Sequence, residues 1–130
     1  MGHCTLQGLN TVHESGMSES EFVSSFQSSI ITMLLHTEAR TASLLGEGFY
    51  TIGPCGEEAL GAVAAALRPT DSCALHYRHV ATQVCRQLLA GRSINDILLD
   101  RARGFTVSKQ DPVTGGCSCA FQNFRAYVRV

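Results

Sequence analysis

The stretch Ser18-Glu19-Ser20-Glu21 constrains the fold of this chain more than any other feature. It has the S-x-x-E form of a capping box, in which the first and last side chains satisfy free backbone groups at a helix start. Apolar and threonine side chains then follow at three- and four-residue steps. They are Phe22, Phe26, Ile30, Met33, Leu34, Thr37, Thr41, Leu44 and Leu45. The pattern predicts a long helix with one apolar stripe, which ends at Gly46 and Gly48.

Three further helices and at most one short strand are expected after it. The loop "FYTIGPCG" precedes a second helix, "EEALGAVAAAL", which carries its apolar face on Leu60, Val63, Ala64 and Leu67 and stops before Pro69. The acids that lead it suit the positive end of the helix dipole, and we expect one of Glu57 and Glu58 to cap while the other packs or is solvated. "CAL" is a candidate buried strand.

A third helix is predicted from about His76 to Ala90, with Gly91 at its C-terminus. A fourth begins at Ser93, where Ser93 and Asp96 repeat the capping arrangement, and points Ile94, Ile97 and Leu98 inward. From Gly104 the periodicity disappears, so we expect a loop. The chain is therefore predicted to be mainly α-helical, with three segments: a flexible 1–17, a helical layer 18–103, and a loop with an atypical end at 104–130.

Composition narrows the class of protein. The chain has 130 residues, 45% of them hydrophobic and 16% charged, with a formal net charge of −1, as in one modest globular domain. A near-neutral charge argues against a broad nucleic-acid surface, and no apolar run is long enough to cross a membrane. The N-terminus "MGHCTLQGLNTVHES" lacks the blocks of a secretory signal. We therefore expect mostly reduced thiols at Cys4, Cys55, Cys73, Cys85, Cys117 and Cys119.

The segment "ALHYRHV" offers two kinds of chemistry. On a helix, His76 and His79 would share a face and could bind a metal ion, with Cys73 or the pair Cys117 and Cys119 as further donors. Too few ligands have a recognised spacing, so we predict no metal site, and the sequence offers no catalytic residue either. The pair between the histidines, Tyr77 and Arg78, lies near a helix start and could bind a phosphate through a guanidinium fork and a phenol.

Four segments in order resemble a known family. "MLLHTEARTASLLGEGFY", "GEEALGAVAAALRPTDSCALHYRH", "LLAGRSINDILLDRARG" and "DPVTGG" are similar to the N-terminal part of the alpha subunit of thiamine-diphosphate-dependent 2-oxo acid dehydrogenases, the decarboxylating first component. "GEEA" and the preceding "F-Y" favour the branched-chain type over the pyruvate type. The resemblance covers roughly residues 30 to 117. It implies that the helices belong to an α/β thiamine-diphosphate-binding fold.

The resemblance also implies a cofactor site and partners. Tyr77 and Arg78 fall on the family's Tyr-Arg pair, which holds the diphosphate of the cofactor, whereas His79 and the Cys117-Ser118-Cys119 stretch depart from the family pattern. Thiamine diphosphate and Mg²⁺ are the implied cofactors. A beta subunit and a lipoyl acyltransferase are the implied partners, in an oligomer. The implied compartment is the cytoplasm, or the mitochondrial matrix if the source is eukaryotic.

The family's "GDG" magnesium motif, its later asparagine and its catalytic histidine are not in this chain. We therefore expect a partial subunit that is inactive alone and that leaves apolar helix faces exposed. Two alternatives stay open. One is a non-catalytic helical interaction module derived from that subunit, and the other is a small metal-binding protein using His76, His79, Cys117 and Cys119.

Overall fold

The computed structural model describes residues 16–47, 53–68, 71–76, 78–106 and 119–122, with the backbone alone for 104–106 and 119–122. These residues form four α-helices, a 3₁₀ turn and two short strands. They are α1 (Glu19–Leu44), the 3₁₀ turn Glu57–Ala59, α2 (Leu60–Ala65), β1 (Cys73–His76), α3 (Val80–Leu89), α4 (Ile94–Thr106) and β2 (Cys119–Gln122). The expected mainly helical character is confirmed.

Both ends of α1 are fixed by capping motifs that can be recognised in the sequence. At its start, Ser18 Oγ accepts from the Glu21 N–H at 3.3 Å, and the Glu21 carboxylate accepts from the Ser18 N–H at 2.7 Å. This is the predicted capping box. At its end, Gly46 adopts φ 75°, and the N–H of Glu47 donates to the Ala42 carbonyl at 2.9 Å. That pattern is a Schellman motif, which favours glycine at the left-handed position.

Helix α1 packs with its small polar side chains inward. Ser28 and Thr32 are buried, and their hydroxyls donate to the carbonyls of Ser25 and Ser28, both at 2.7 Å. The apolar stripe lies on the opposite side, and its large members, Phe22, Phe26, Ile30, Met33, Leu34, Leu44 and Leu45, are all exposed. The expectation that apolar helix faces would be left uncovered is therefore confirmed for α1.

Helix α3 is the centre of the packed part of the chain. Every residue from Ala81 to Gln87 is buried, and α1, α2, the 3₁₀ turn and α4 all contact it. Ala64, Ala65 and Cys85 form a small core cluster against which Met17 packs. Because the side chains of this core are small, the helices approach closely, and the amount of apolar surface that the core buries is modest.

Polar bonds connect α3 to its neighbours. Buried Arg86 donates to the Asp71 carbonyl at 2.7 Å and to the Cys73 sulfur at 2.9 Å, which fixes the start of β1 against α3. Arg92 donates to Gln87 and also to Asp100 at 2.9 Å, so it joins the end of α3 to α4. These bonds satisfy charged groups that would otherwise be costly to bury.

The predicted start of the third helix is wrong. His76 is the last residue of β1, Arg78 and His79 form a turn, and α3 begins only at Val80. The turn is closed by the His79 N–H, which donates to the His76 carbonyl at 2.9 Å. Strand pairing explains the difference: β1 pairs antiparallel with β2, with Cys73 opposite Gln122 and His76 opposite Cys119. Gly91, with φ 78°, follows the end of α3 as expected.

The region after Gly104 is not simply a loop. Helix α4 continues to Thr106, and residues 119–122 form β2, so a second strand exists where none was expected. The inward face of α4 is also narrower than predicted: Ile97 is fully buried, but Ile94 and Leu98 are exposed. On α2, Ala64 is buried as expected, whereas Val63 points to solvent with 54% exposure.

Several expectations lie outside the described residues. They concern segment 1–15, the "FY" before the glycine loop, Tyr77, "DPVTGG" and residues 123–130. Within the part of the chain that is described, none of the helices combines the length and apolar character needed to cross a bilayer.

Candidate functional site

The 3₁₀ turn reaches the predicted phosphate-binding segment through a strained loop. Cys55 adopts φ 54°, in the left-handed region that side chains other than glycine rarely occupy, and Gly56 follows with φ 96°. The turn is closed by the Glu57 N–H, which donates to the Pro54 carbonyl at 2.9 Å. Such a left-handed pair turns the chain sharply, and it directs the first acid of the 3₁₀ turn toward α3.

The two adjacent acids have different roles, as expected. The Glu58 carboxylate accepts from the Gly56 N–H at 2.9 Å, so it caps the turn. The Glu58 carbonyl accepts from the Ser29 hydroxyl at 2.8 Å, which connects the turn to α1. Glu57 packs instead against the turn that precedes α3. Adjacent residues of a helical turn point in different directions, and this explains the division.

Glu57 lies between Arg78 and His79 and contacts each with a different oxygen. Its Oε1 is 2.9 Å from Arg78 Nε, and its Oε2 is 3.0 Å from His79 Nε2. The N–H directions at these contacts depart from hydrogen-bond geometry, so the Arg78 contact is an ion pair, and the His79 contact is one only when the ring is protonated. All three side chains are about one-third exposed or less. We call this group the Glu57 cluster: Glu57, Arg78 and His79.

The backbone of the turn orients His79. Its Nδ1 accepts the His76 N–H at 2.9 Å, so in the neutral ring the proton lies on Nε2, the atom that faces Glu57. The His76 ring lies with its centroid 5.8 Å away from that of His79. With Nδ1 already in a hydrogen bond and Nε2 on a carboxylate, His79 has no nitrogen lone pair directed toward a metal ion.

No metal-binding group of three or more histidine, cysteine or acidic side chains occurs among the described residues. The metal alternative also depended on a shared helix face for His76 and His79, and His76 lies on a strand. Cys117 lies outside the described residues, as does the side chain of Cys119. The geometry therefore offers no support for that alternative.

Arg78 lies where the sequence placed an anion site, next to the start of a helix. His79 is the N-cap of α3, and its side chain makes no capping hydrogen bond. The first backbone N–H groups of a helix have no partner inside it and favour a negative charge. Arg78 therefore lies beside a positive helix end, but the Glu57 carboxylate already compensates its charge. Tyr77, the other half of the predicted pair, lies outside the described residues.

Sequence reasoning missed Glu57 as a partner of this segment. Twenty-one positions separate it from Arg78, and no spacing rule connects a 3₁₀ turn to a strand–helix junction. The available signal was chemical: two adjacent acids lead a helix, and only one is needed as a cap. The other must then find a cation or water, and Arg78 was a candidate.

A separate cleft lies toward the other end of α3. It has a volume of about 150 Å³ and is lined by Glu21, Ala64, Ala65, Leu67, Arg86 and Leu89. Small-molecule pockets usually measure about 300–1,000 Å³. The cleft is therefore too small for a cofactor of the size that the resemblance implies, and its lining includes no member of the Glu57 cluster.

Comparisons with protein-family models, with curated proteins and with solved structures give no match for this chain.

Proposed function

We propose that this chain is the N-terminal part of the alpha subunit of a thiamine-diphosphate-dependent 2-oxo acid dehydrogenase of the branched-chain type. The whole enzyme would decarboxylate a 2-oxo acid and transfer the acyl group to a lipoyl carrier, with a beta subunit and a lipoyl acyltransferase as partners. In that proposal, the chain contributes a helical layer of the α/β cofactor-binding fold and one contact to the cofactor diphosphate.

The position of Arg78 carries the proposal. It lies at a strand–helix junction, beside the N-terminus of α3, where the N-cap residue His79 makes no side-chain capping bond. A guanidinium and free helix N–H groups together suit phosphate oxygens. Glu57 supports this position because its carboxylate, 2.9 Å from Arg78 Nε, fixes the base of the fork.

The same geometry argues that binding by this chain alone is weak. The Glu57 carboxylate repels a diphosphate and offsets the charge of Arg78, and the described residues contain no group of three or more histidine, cysteine or acidic side chains that could hold Mg²⁺. A diphosphate needs its cation to offset its charge. One charge-assisted contact contributes about 1.5–3 kcal/mol, so a dissociation constant of about 1 mM or weaker is expected.

Calorimetric titration of the chain with thiamine diphosphate and Mg²⁺ tests the proposal. We expect millimolar binding that Arg78→Ala abolishes and that Arg68→Ala, a change at an arginine whose side chain is 83% exposed, leaves unchanged. Glu57→Gln should strengthen binding, because it removes the competing carboxylate. Sub-micromolar binding by this chain would refute the claim of an incomplete site, and binding that is indifferent to Arg78→Ala would refute the role of Arg78.

A non-catalytic interaction module is the second candidate, and the exposed apolar face of α1 favours it. Such a module would bind a beta subunit with no cofactor present. Co-purification of the two chains in cofactor-free buffer, with the same yield for the parent chain and Arg78→Ala, would favour the module over the cofactor-binding subunit.

A further inference from the structure

The exposed stripe of α1 is one continuous surface. At 100° per residue, Val23, Phe26, Ile30 and Met33 fall on one side of the helix, and Ser28 lies about 160–200° away from Ile30. Their exposed fractions are 42%, 61%, 45% and 46%. Phe22 and Leu34 border them at 45% and 61%. We call these six residues the α1 face. Large apolar side chains on a monomer are normally scattered and not aligned in this way.

The two threonines that continue the α1 face satisfy their own hydroxyl groups. Thr37 and Thr41 continue the stripe, and their hydroxyls donate to the carbonyls of Met33 and Thr37, both at 3.1 Å. Their methyl groups are thereby left to contact a neighbour. A surface that satisfies its own polar groups can be desolvated at little cost.

The spacing of the face fits another helix. From Val23 the steps to Phe26, Ile30, Met33 and Thr37 alternate three and four residues, which is the pattern of a coiled-coil seam. Helices with such seams pack at a crossing angle of about 20°. The occupant is therefore expected to be a helix that runs nearly parallel or antiparallel to α1.

We propose that the α1 face is a dimer interface, in which α1 of a second copy of this chain packs antiparallel across a twofold axis at Ile30. In this register Phe26 of each copy meets Leu34 of the other. A twofold interface uses the same patch on both subunits, so one apolar stripe suffices for the whole contact.

Charge selects this arrangement. The antiparallel register brings Arg40 of one copy within about 1.5 Å, along the helix axis, of the level of Glu19 in the other, and both side chains are exposed. It also brings Glu38 to within about 1.5 Å of the level of Glu21, but Glu21 lies on the Ser28 side of the helix, away from the α1 face. A parallel pair would instead set Glu19, Glu38 and Arg40 each beside its own copy, which places like charges together. The helix dipoles also oppose each other favourably in the antiparallel pair.

The area is sufficient for a dimer. Large apolar side chains present about 150–250 Å² each, so exposure near one half over the α1 face leaves roughly 500–600 Å² per copy. Complete coverage of two such faces would bury about 1,000–1,200 Å², which is at the lower limit for a specific interface. A membrane surface fits less well, because α1 carries three acids, Glu19, Glu21 and Glu38, against one arginine.

Light scattering with Ile30→Glu as the disrupting change tests the dimer. We expect the parent to have twice the chain mass of 14.0 kDa, and the variant to be monomeric because two carboxylates would face each other at the twofold axis. Val63→Glu is the matched control: Val63 is an exposed aliphatic residue on α2, outside the face, so this variant should stay dimeric. A monomeric parent would overturn the proposal. If the monomeric parent also bound phosphatidylserine vesicles, a membrane surface would be the occupant of the α1 face.

Cysteine cross-linking tests the direction of the helices. In the antiparallel pair, Ile30→Cys meets its own copy, whereas two Phe22→Cys side chains lie about 24 Å apart along the axis, too far for a disulfide. Under mild oxidation, the yield of covalent dimer should therefore rise several-fold over that of the parent for Ile30→Cys, but not for Phe22→Cys. The parent carries the same native cysteines and so serves as the baseline. Equal cross-linking at both positions would overturn the antiparallel arrangement. The experiments use no cofactor and no beta subunit, so their outcome is independent of the proposed function.

Discussion

At the scale of single residues, the environment of Arg78 matters more than its identity. The sequence directs attention to Tyr77 and Arg78, and the structure adds Glu57, whose carboxylate is 2.9 Å from the guanidinium. An arginine that is paired with a carboxylate binds an anion poorly, because the carboxylate offsets its charge. Anion binding improves only when the anion displaces the carboxylate or a cation neutralises it. Arg78 is thus oriented for a ligand but electrically compensated.

Burial lowers the reactivity of the Cys85 thiol, and the sequence alone does not show this. Desolvation raises the pKa of this thiol to about 11, and a hydrogen bond with Ser28 only partly opposes the shift. Cys55, in contrast, is exposed to solvent. At pH 8, Cys85 should present roughly 200-fold fewer thiolates than a thiol with an ordinary pKa near 8.5.

Alkylation with iodoacetamide at pH 8, followed by peptide mass spectrometry, measures this difference. Cys55 should be modified in the folded chain while Cys85 stays intact, and both should react in urea. Labelling of the two at the same rate without denaturant would contradict the burial of Cys85.

At the scale of elements, α1 and α2 approach closely because Gly61 has no side chain. A Cβ at this position would clash with Ser28 Oγ and would lie 3.1 Å from the Ser25 carbonyl oxygen. Gly61→Ala should therefore destabilise the chain by about 1–3 kcal/mol, the usual cost of overpacking. It would do so although alanine has the higher helix propensity.

Urea denaturation with two companion variants measures the effect of Gly61→Ala. Ala62→Leu adds more volume at an exposed neighbour and should change stability by less than about 0.5 kcal/mol. Ser28→Ala removes the closest clashing atom, so the double variant should lose less than the sum of the single changes. Additive losses would place the strain elsewhere.

The capping box of α1 connects stability to pH. Hydrogen bonds from the Ser18 side chain and backbone lower the pKa of Glu21 below its ordinary value of 4.5. Because the pKa is lower in the folded state, the stabilisation is present above pH 4.5 and is lost as the pH falls through the lowered value. Ser18→Ala should cost about 1 kcal/mol at neutral pH and reduce this acid slope.

Chemical denaturation from pH 7 to pH 3 measures that slope, with Ser24→Ala as a serine control inside the same helix. Asp71, whose pKa is lowered by hydrogen bonds from Arg68, contributes a similar slope that both variants retain. An unchanged pH profile in Ser18→Ala would mean that the box does not stabilise ionised Glu21.

The helices and strands also show which features local sequence patterns can predict. The capping box of α1, the N-cap of α4 at Ser93 and the ends at Gly46 and Gly91 could be predicted, because each depends on a few neighbouring residues. The sequence predicts a strand over "CAL", but not the start of α3, since the extension of β1 to His76 depends on its pairing with β2, more than forty residues later. The Glu57 cluster was missed for the same reason: its members meet only after the chain folds.

At the scale of the whole molecule, the described part of the chain buries few large apolar side chains. Its buried apolar residues are mostly small, such as Ala64, Ala65 and Ala81, while the α1 face is exposed. Burial stabilises by about 25 cal/mol per Å², so covering two α1 faces adds a substantial share of a small domain's stability. Folding and association should therefore be coupled.

Coupling makes the melting temperature depend on concentration. Association of folded chains draws the equilibrium away from the unfolded state, so the melting temperature of the parent should rise as the protein concentration rises. For a domain of this size, each 1 kcal/mol gained shifts it by roughly 4 °C. Ile30→Glu should melt lower and at a temperature independent of concentration, whereas Val63→Glu should follow the parent. Calorimetric scans over a hundredfold dilution distinguish these cases, and a cooperative, concentration-independent melt of the dilute parent would mean that the small core stabilises the monomer without the α1 face.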